Sequence, residues 1–192
     1  MKKVIRAGLA AVICIVAIVS VYFFFTKRSQ PSLEDAVEVT EIQKLVTRNL
    51  DTNYPETPRE VVKFYSRIIN CYYDKEYTDE ELYQLGDQAR QLFDEKLLEN
   101  NPREEYFENL KEEIEEYKQI SKRIVTWRVS KTSEITYDTI NGYDYAYVKA
   151  SYYLTSTESY GFAKQTYELR RDENNRWKIL AFYKTEEEDS NE

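Results

Sequence analysis

The sequence predicts an α+β fold, and three observations carry that expectation. Helix-start signatures followed by apolar residues at helical spacing recur four times between Thr40 and Tyr117. Beyond Ile120 the apolar period changes to two, the spacing of a half-buried strand. Within that second half Asn141-Gly142 separates two strand-like runs, and both central residues of a tight hairpin turn need positive φ.

The helical half is marked by its N-termini. Thr40-Glu-Ile-Gln43 reads as a capping box, followed by Ile42, Leu45, Val46 and Leu50 on one side of a short helix that Pro55 and its neighbours terminate. Thr57-Pro58-Arg-Glu60 adds proline at the first helical position and opens a helix presenting Val61, Phe64, Tyr65, Ile68 and Tyr72. Thr78-Asp-Glu-Glu81 opens a third, with Leu82, Leu85, Ala89, Leu92 and Phe93 on its apolar side. Asn101-Pro102-Arg-Glu104 opens a fourth, presenting Tyr106, Phe107, Leu110, Ile114 and Tyr117.

In the strand half, Val125, Trp127 and Val129 alternate with Ile124, Thr126 and Arg128, and turns are expected near Ser156–Ser159 and at Asp172–Asn175. The organising stretch is Tyr143–Thr155. Its even positions include Ala146, Val148, Ala150 and Leu154, small enough at the centre for helices to lie close. Its odd positions, among them Tyr143, Tyr145, Tyr147, Lys149 and Tyr153, then project from the opposite face. That tyrosine row is the candidate interface or ligand surface. An aromatic patch of this size invites cover, most simply by a second copy in a homodimer or by an envelope protein partner.

At the N-terminus an uncharged run over 7–25 follows Lys2, Lys3 and Arg6. As a helix it spans about 28 Å, near the thickness of a bilayer's hydrocarbon core. The bulky residues up to Phe25 do not offer a signal peptidase the small side chains it needs, so an uncleaved single-pass anchor is expected. The excess of basic residues before the span places the N-terminus in the cytoplasm and the rest outside it. All 35 acidic residues follow Leu33, against 22 remaining basic ones, so the chain beyond the anchor carries a net charge of −13. Such a surface repels phosphate backbones, and no nucleic-acid partner is expected. The expected organisation is a signal anchor with basic flanks over 1–28, a polar linker with a short helix over 29–56, one α+β domain over 57–185 and an acidic tail over 186–192.

The order of helices followed by a meander closing on Tyr167-Glu-Leu-Arg170 and Trp177-Lys-Ile179 is similar to the NTF2-like (cystatin-like) fold. That resemblance implies a curved antiparallel sheet wrapped around a helix to leave a cone-shaped cavity. The whole chain also resembles an uncharacterised family of single-pass proteins from Gram-positive bacteria. The resemblance rests on Tyr54-Pro-Glu-Thr-Pro-Arg-Glu-Val-Val-Lys-Phe-Tyr65, Tyr77-Thr-Asp-Glu-Glu-Leu82 and Arg176-Trp-Lys-Ile-Leu-Ala-Phe-Tyr183, and it implies no activity.

The chemistry-bearing residues are sparse. There is no histidine, and of the two cysteines Cys71 stands alone outside the anchor and reads as a small buried hydrophobe. Some NTF2-like proteins are isomerases with an acid inside the cavity, and Asp144 is the nearest candidate here, although a strand-end acid is ordinarily solvated. The glutamates from Glu104 to Glu116 read as a solvated helix face, and Asp172–Asn175 as a turn rather than a calcium loop. No motif calls for a cofactor or a metal, and no catalytic set is assembled. The expected function is a membrane-tethered extracytoplasmic binding or assembly module. The alternative is a small isomerase or hydratase using a carboxylate in the cavity, and the two differ in whether a carboxylate is buried there beside a tyrosine or the space is filled by Trp127, Phe64 and Phe93.

Overall fold

The structure, a computed structural model, describes residues 39–185. The expected anchor over 7–25 and the tail over 186–192 lie outside the described residues, and among the described residues no helix is long and apolar enough to cross a membrane. The described chain is α+β. Helices α1 (Glu41–Val46), α2 (Pro58–Asp74), α3 (Asp79–Arg90), α4 (Glu95–Glu99) and α5 (Arg103–Gln119) precede an antiparallel sheet.

Three of the four expected helix starts have the capping geometry their sequences specify. Thr40, Thr57 and Thr78 each accept a hydrogen bond from the backbone N–H three residues on. The side chains of Gln43, Glu60 and Glu81 reach back to the cap N–H groups, an arrangement that stabilises a helix by about 1 kcal/mol. The fourth start differs. Asn101 does not cap α5, because its side-chain amide donates to the Leu97 carbonyl at 3.0 Å and its own carbonyl accepts from Arg90 at 2.6 Å. Pro102 precedes α5 with no side-chain cap. Leu92 and Phe93 also depart from the expected helix. The helix ends at Arg90, Gln91 and Leu92 form a turn, and the Asp94 N–H and Leu92 carbonyl then pair with Ile179 at 2.8 Å each.

The sheet comprises β1 (Arg123–Val129), β2 (Thr136–Ile140), β3 (Tyr143–Thr155), β4 (Tyr160–Arg171) and β5 (Trp177–Lys184). The 13 residues of β3 are long enough for two partners on one edge. β2 pairs with its first part as a hairpin, β1 with its last part, and β4 lines the other edge along nearly its full length. β5 closes the sheet beyond β4, and the Leu92–Asp94 segment covers part of its free edge. In the β2–β3 turn Asn141 and Gly142 have φ of 54° and 82°, as the Asn-Gly pair requires. Strict alternation in β1 is broken by a bulge between Ile124 and Thr126. It brings Ile124, Trp127 and Val129 to the core face and leaves Val125 exposed.

The core lies between the helices and the inner face of the sheet. Ala146, Val148 and Ala150 are fully or almost fully buried with Val61, Phe64 and Ile68 of α2. Segment Thr40–Leu50, read from the sequence with the linker, also belongs to this core. Ile42, Leu45 and Leu50 are buried, and the Gln88 amide donates to the Val46 and Arg48 carbonyls at 2.9 and 2.8 Å. Asp94 is buried and receives both Arg170 hydrogen bonds, at 2.7 and 2.9 Å, which ties the start of α4 to β4.

α3 and α5 meet at Gly86. A Cβ there would lie 2.6 Å from Cζ of Phe107, whose ring is held between Tyr83 and Tyr106. Gly86→Ala gains about 1 kcal/mol of helix propensity but forces this ring out of its place. We expect a net destabilisation of about 1–2 kcal/mol. It is read as a lower urea midpoint at unchanged slope, and an equal or higher midpoint would show that the ring yields freely.

Candidate functional site

The outer face of β3 carries the residues singled out from its parity, but not as one patch. Tyr143 is exposed at the hairpin end, with the Arg170 guanidinium 5.2 Å from its ring centre. Tyr145 is flanked by Asp138 and Arg170 across the strands, and Tyr147 by Thr136 and Glu168, which leaves both half-buried. Exposed Lys149 and half-buried Ser151 follow. Tyr153 therefore lies about 20 Å along the strand from Tyr147, grouped instead with Phe162 at 5.1 Å between ring centres. The most exposed aromatic residues are on β4: Tyr160 is 80 % and Phe162 68 % exposed.

The other acids named from the sequence also have local explanations. Asp144 accepts from the Thr139 hydroxyl at 3.0 Å and sits 3.6 Å from Arg171, with half its side chain in water. Asp172 shapes its turn by accepting from the backbone of Asn174 and Arg176. Cys71 is buried, and burial pushes its thiol up to about 11, which keeps it protonated and unreactive near neutral pH.

The concave site lies on the other side of the sheet. A cavity of about 200 Å³ opens between α2, α5 and the inner face of β3 and β4. Tyr65, Tyr72 and Tyr73 reach it from α2, at a seven-to-eight-residue spacing that repeats one helix face. Tyr106, Glu113 and Tyr117 reach it from α5 by the same logic. Tyr152 and Tyr167 complete it from the inward registers of β3 and β4. Phe64 and Phe93 are packed in the core and Trp127 is half-buried; none of the three fills this space.

Hydrogen bonds hold its floor. The Tyr167 hydroxyl donates to Oε1 of Gln165 at 2.8 Å. Having one proton, it must accept from Tyr152, also at 2.8 Å, and Tyr152 in turn accepts from Ser66 on α2 at 2.8 Å. The chain therefore runs one way, from Ser66 through two phenols to the Gln165 amide. Rings meet around it at a range of angles, with Phe182 tilted at 45° and 37° to Tyr65 and Tyr167. Tyr65 and Tyr167 are 5.8 Å apart at 81°, Tyr72 and Tyr73 6.3 Å apart at 86°, and only Tyr73 and Tyr117 stack, at 4.3 Å.

The cavity holds one carboxylate among its described lining residues, Glu113. It is exposed at the mouth with Asn109, and among the described residues no Lys or Arg lines the space. Burial raises the hydroxyl pKa of Tyr65, Tyr72, Tyr152 and Tyr167. Burial also raises that of Tyr73, and the nearby Glu113 carboxylate adds to the rise. The phenols are thus neutral donors at physiological pH, in an aromatic box with a negative rim. Sequence reading assigned the helix tyrosines to the core and searched for function on the outer face. The available cue was Gln165, a polar residue at an inward position of β4, where a filled core has no use for one.

Residues 1–182 match a family described as a domain of unknown function, DUF6715. No curated protein matches the chain.

The buried phenols make stability sensitive to base. Their folded pKa values lie above the roughly pH 10 of an unfolded tyrosine, so their contribution is complete below pH ~10 and lost as pH rises towards the folded values. We expect a stability plateau below pH ~10, then a steep fall in which absorbance at 295 nm rises together with loss of circular dichroism. Titration of all the tyrosines with the fold intact would contradict this account.

Proposed function

The chain belongs to the DUF6715 family, and on that footing we propose that it is a membrane-tethered, extracytoplasmic module that binds a small ligand in the tyrosine-lined cavity. The cavity is the observation that carries the reading. Its volume of about 200 Å³ exceeds the scale at which an apolar protein cavity takes up benzene, about 150 Å³. Aromatic walls, a few placed polar groups and one open end are the usual make-up of a small-molecule site. The uncharged run over 7–25 with its basic flanks supports the tether, and the acidic remainder supports an extracytoplasmic position. Helices followed by an antiparallel meander, with a cavity between them, support an NTF2-like domain of the kind expected in a Gram-positive envelope protein. An isomerase or hydratase needs a carboxylate held inside such a cavity. Glu113 sits exposed at its mouth, which favours binding over catalysis.

Ala163 lines the cavity opposite Tyr152 and is half-buried, so a larger side chain there projects into the empty volume. Small molecules screened by ligand-observed NMR against the full chain in mild detergent should yield ligands that Ala163→Trp abolishes, with the unfolding temperature of the variant within a few degrees of the parent. Ligands that bind both forms equally would place the site elsewhere. The orientation has its own check: protease added to intact protoplasts should degrade the domain and spare only a short N-terminal fragment. A domain that survives until lysis would reverse the topology.

A further inference from the structure

We infer that the ligand of this cavity is a small organic ammonium ion, a quaternary or multiply methylated amine. The inference rests on the reading that the cavity is a binding site and adds the chemical class. Three features of the lining lead to it. Seven of the sixteen lining residues are tyrosines, and the face of such a ring attracts a cation within about 6 Å of its centre, most strongly where water is excluded. The one charged lining residue is Glu113, which sets the sign of the field at the mouth. Four of the seven lining phenol hydroxyls are already engaged. Ser66, Tyr152 and Tyr167 donate along a single chain to Gln165, and the Tyr72 and Tyr106 hydroxyls are 3.4 Å from each other.

Those features separate the possible occupants. An anionic ligand would face Glu113 with no cation among the described lining residues to receive it. A hard metal ion needs six or more oxygen ligands, and one carboxylate does not supply them; among the described residues no group of three or more acidic, cysteine or histidine side chains is placed to hold a metal. A primary ammonium is compact and strongly hydrated, and a wall in which four of the seven phenol hydroxyls are engaged replaces that hydration poorly. A methylated ammonium asks for no hydrogen bonds, is weakly hydrated, and matches an apolar aromatic wall with a carboxylate at its entrance. Two of the lining rings already draw the chain's own cations. The Lys122 ammonium lies 4.2 Å from the ring centre of Tyr117, and the Arg90 guanidinium 5.4 Å from that of Tyr106.

The test pairs choline with its uncharged isostere 3,3-dimethyl-1-butanol, titrated calorimetrically into the full chain in detergent at matched ionic strength. Choline should bind at least about tenfold more tightly than the isostere. Glu113→Gln, an exposed change, should narrow that gap several-fold, and Tyr73→Leu should weaken choline more than the isostere. Equal binding of the two would overturn the inference while leaving the cavity a ligand site. Binding of neither would overturn it too, and the Ala163→Trp comparison would then decide separately whether the cavity binds anything. A choline signal that Ala163→Trp does not remove would place the cation outside the cavity and overturn it as well.

Discussion

A phenol can be buried only if its hydroxyl finds a partner, and the inner face of this sheet buries two of them side by side. Tyr152 and Tyr167 satisfy each other, and the remaining bonds go to Ser66 on α2 and Gln165 on β4. That requirement fixes how the helix and sheet meet. Towards the β2–β3 hairpin Ala146, Val148 and Ala150 are short, and they are buried in one core cluster with the apolar side of α2. One alternate position further, Tyr152 is too long for such contact, and its hydroxyl reaches a serine on the helix instead. The cavity opens at this end, bounded by tyrosine rings together with Ile69, Leu110, Ile124 and Leu154.

The two faces of the sheet use tyrosine in different ways. On the outer face Tyr145 and Tyr147 stand among charged neighbours, Arg170, Glu168 and Asp138, and the polar stretch around Lys149 interrupts the aromatic surface. Rings interleaved with charges in this way remain compatible with water. On the inner face rings meet rings, with hydroxyls paired and one carboxylate at the mouth. The same side chain is thus a surface residue in one register and a wall in the other, and its neighbours decide which.

Much of the architecture was legible because it depends on local chemistry. Thr40, Thr57 and Thr78 cap their helices through side chains three residues away, and Asn141-Gly142 forms the turn that its tolerance of positive φ permits. The facing of Tyr143–Thr155 followed from alternation alone. What escaped depended on residues far apart in sequence. Asn101 is drawn from capping α5 by the Leu97 and Arg90 contacts, and Leu92–Asp94 leave helical geometry to pair with Ile179. A bulge at Val125 shifts the parity of β1 by one, which strict alternation cannot anticipate.

The candidate site shows the same division more sharply. By itself the sequence determined that Tyr65 and Tyr72 share a helix face, that Tyr106 and Tyr117 share another, and that Tyr152 points inward, since each follows from the period of a single element. Only the tertiary structure decided that these faces converge without closing. Whether converging side chains fill a space or enclose one depends on the distance between helix and sheet. That distance is set by the sum of side-chain sizes on both surfaces, by the Ser66–Tyr152 hydrogen bond and by the placing of α5 across the opening. A single element's period carries no information about any of these.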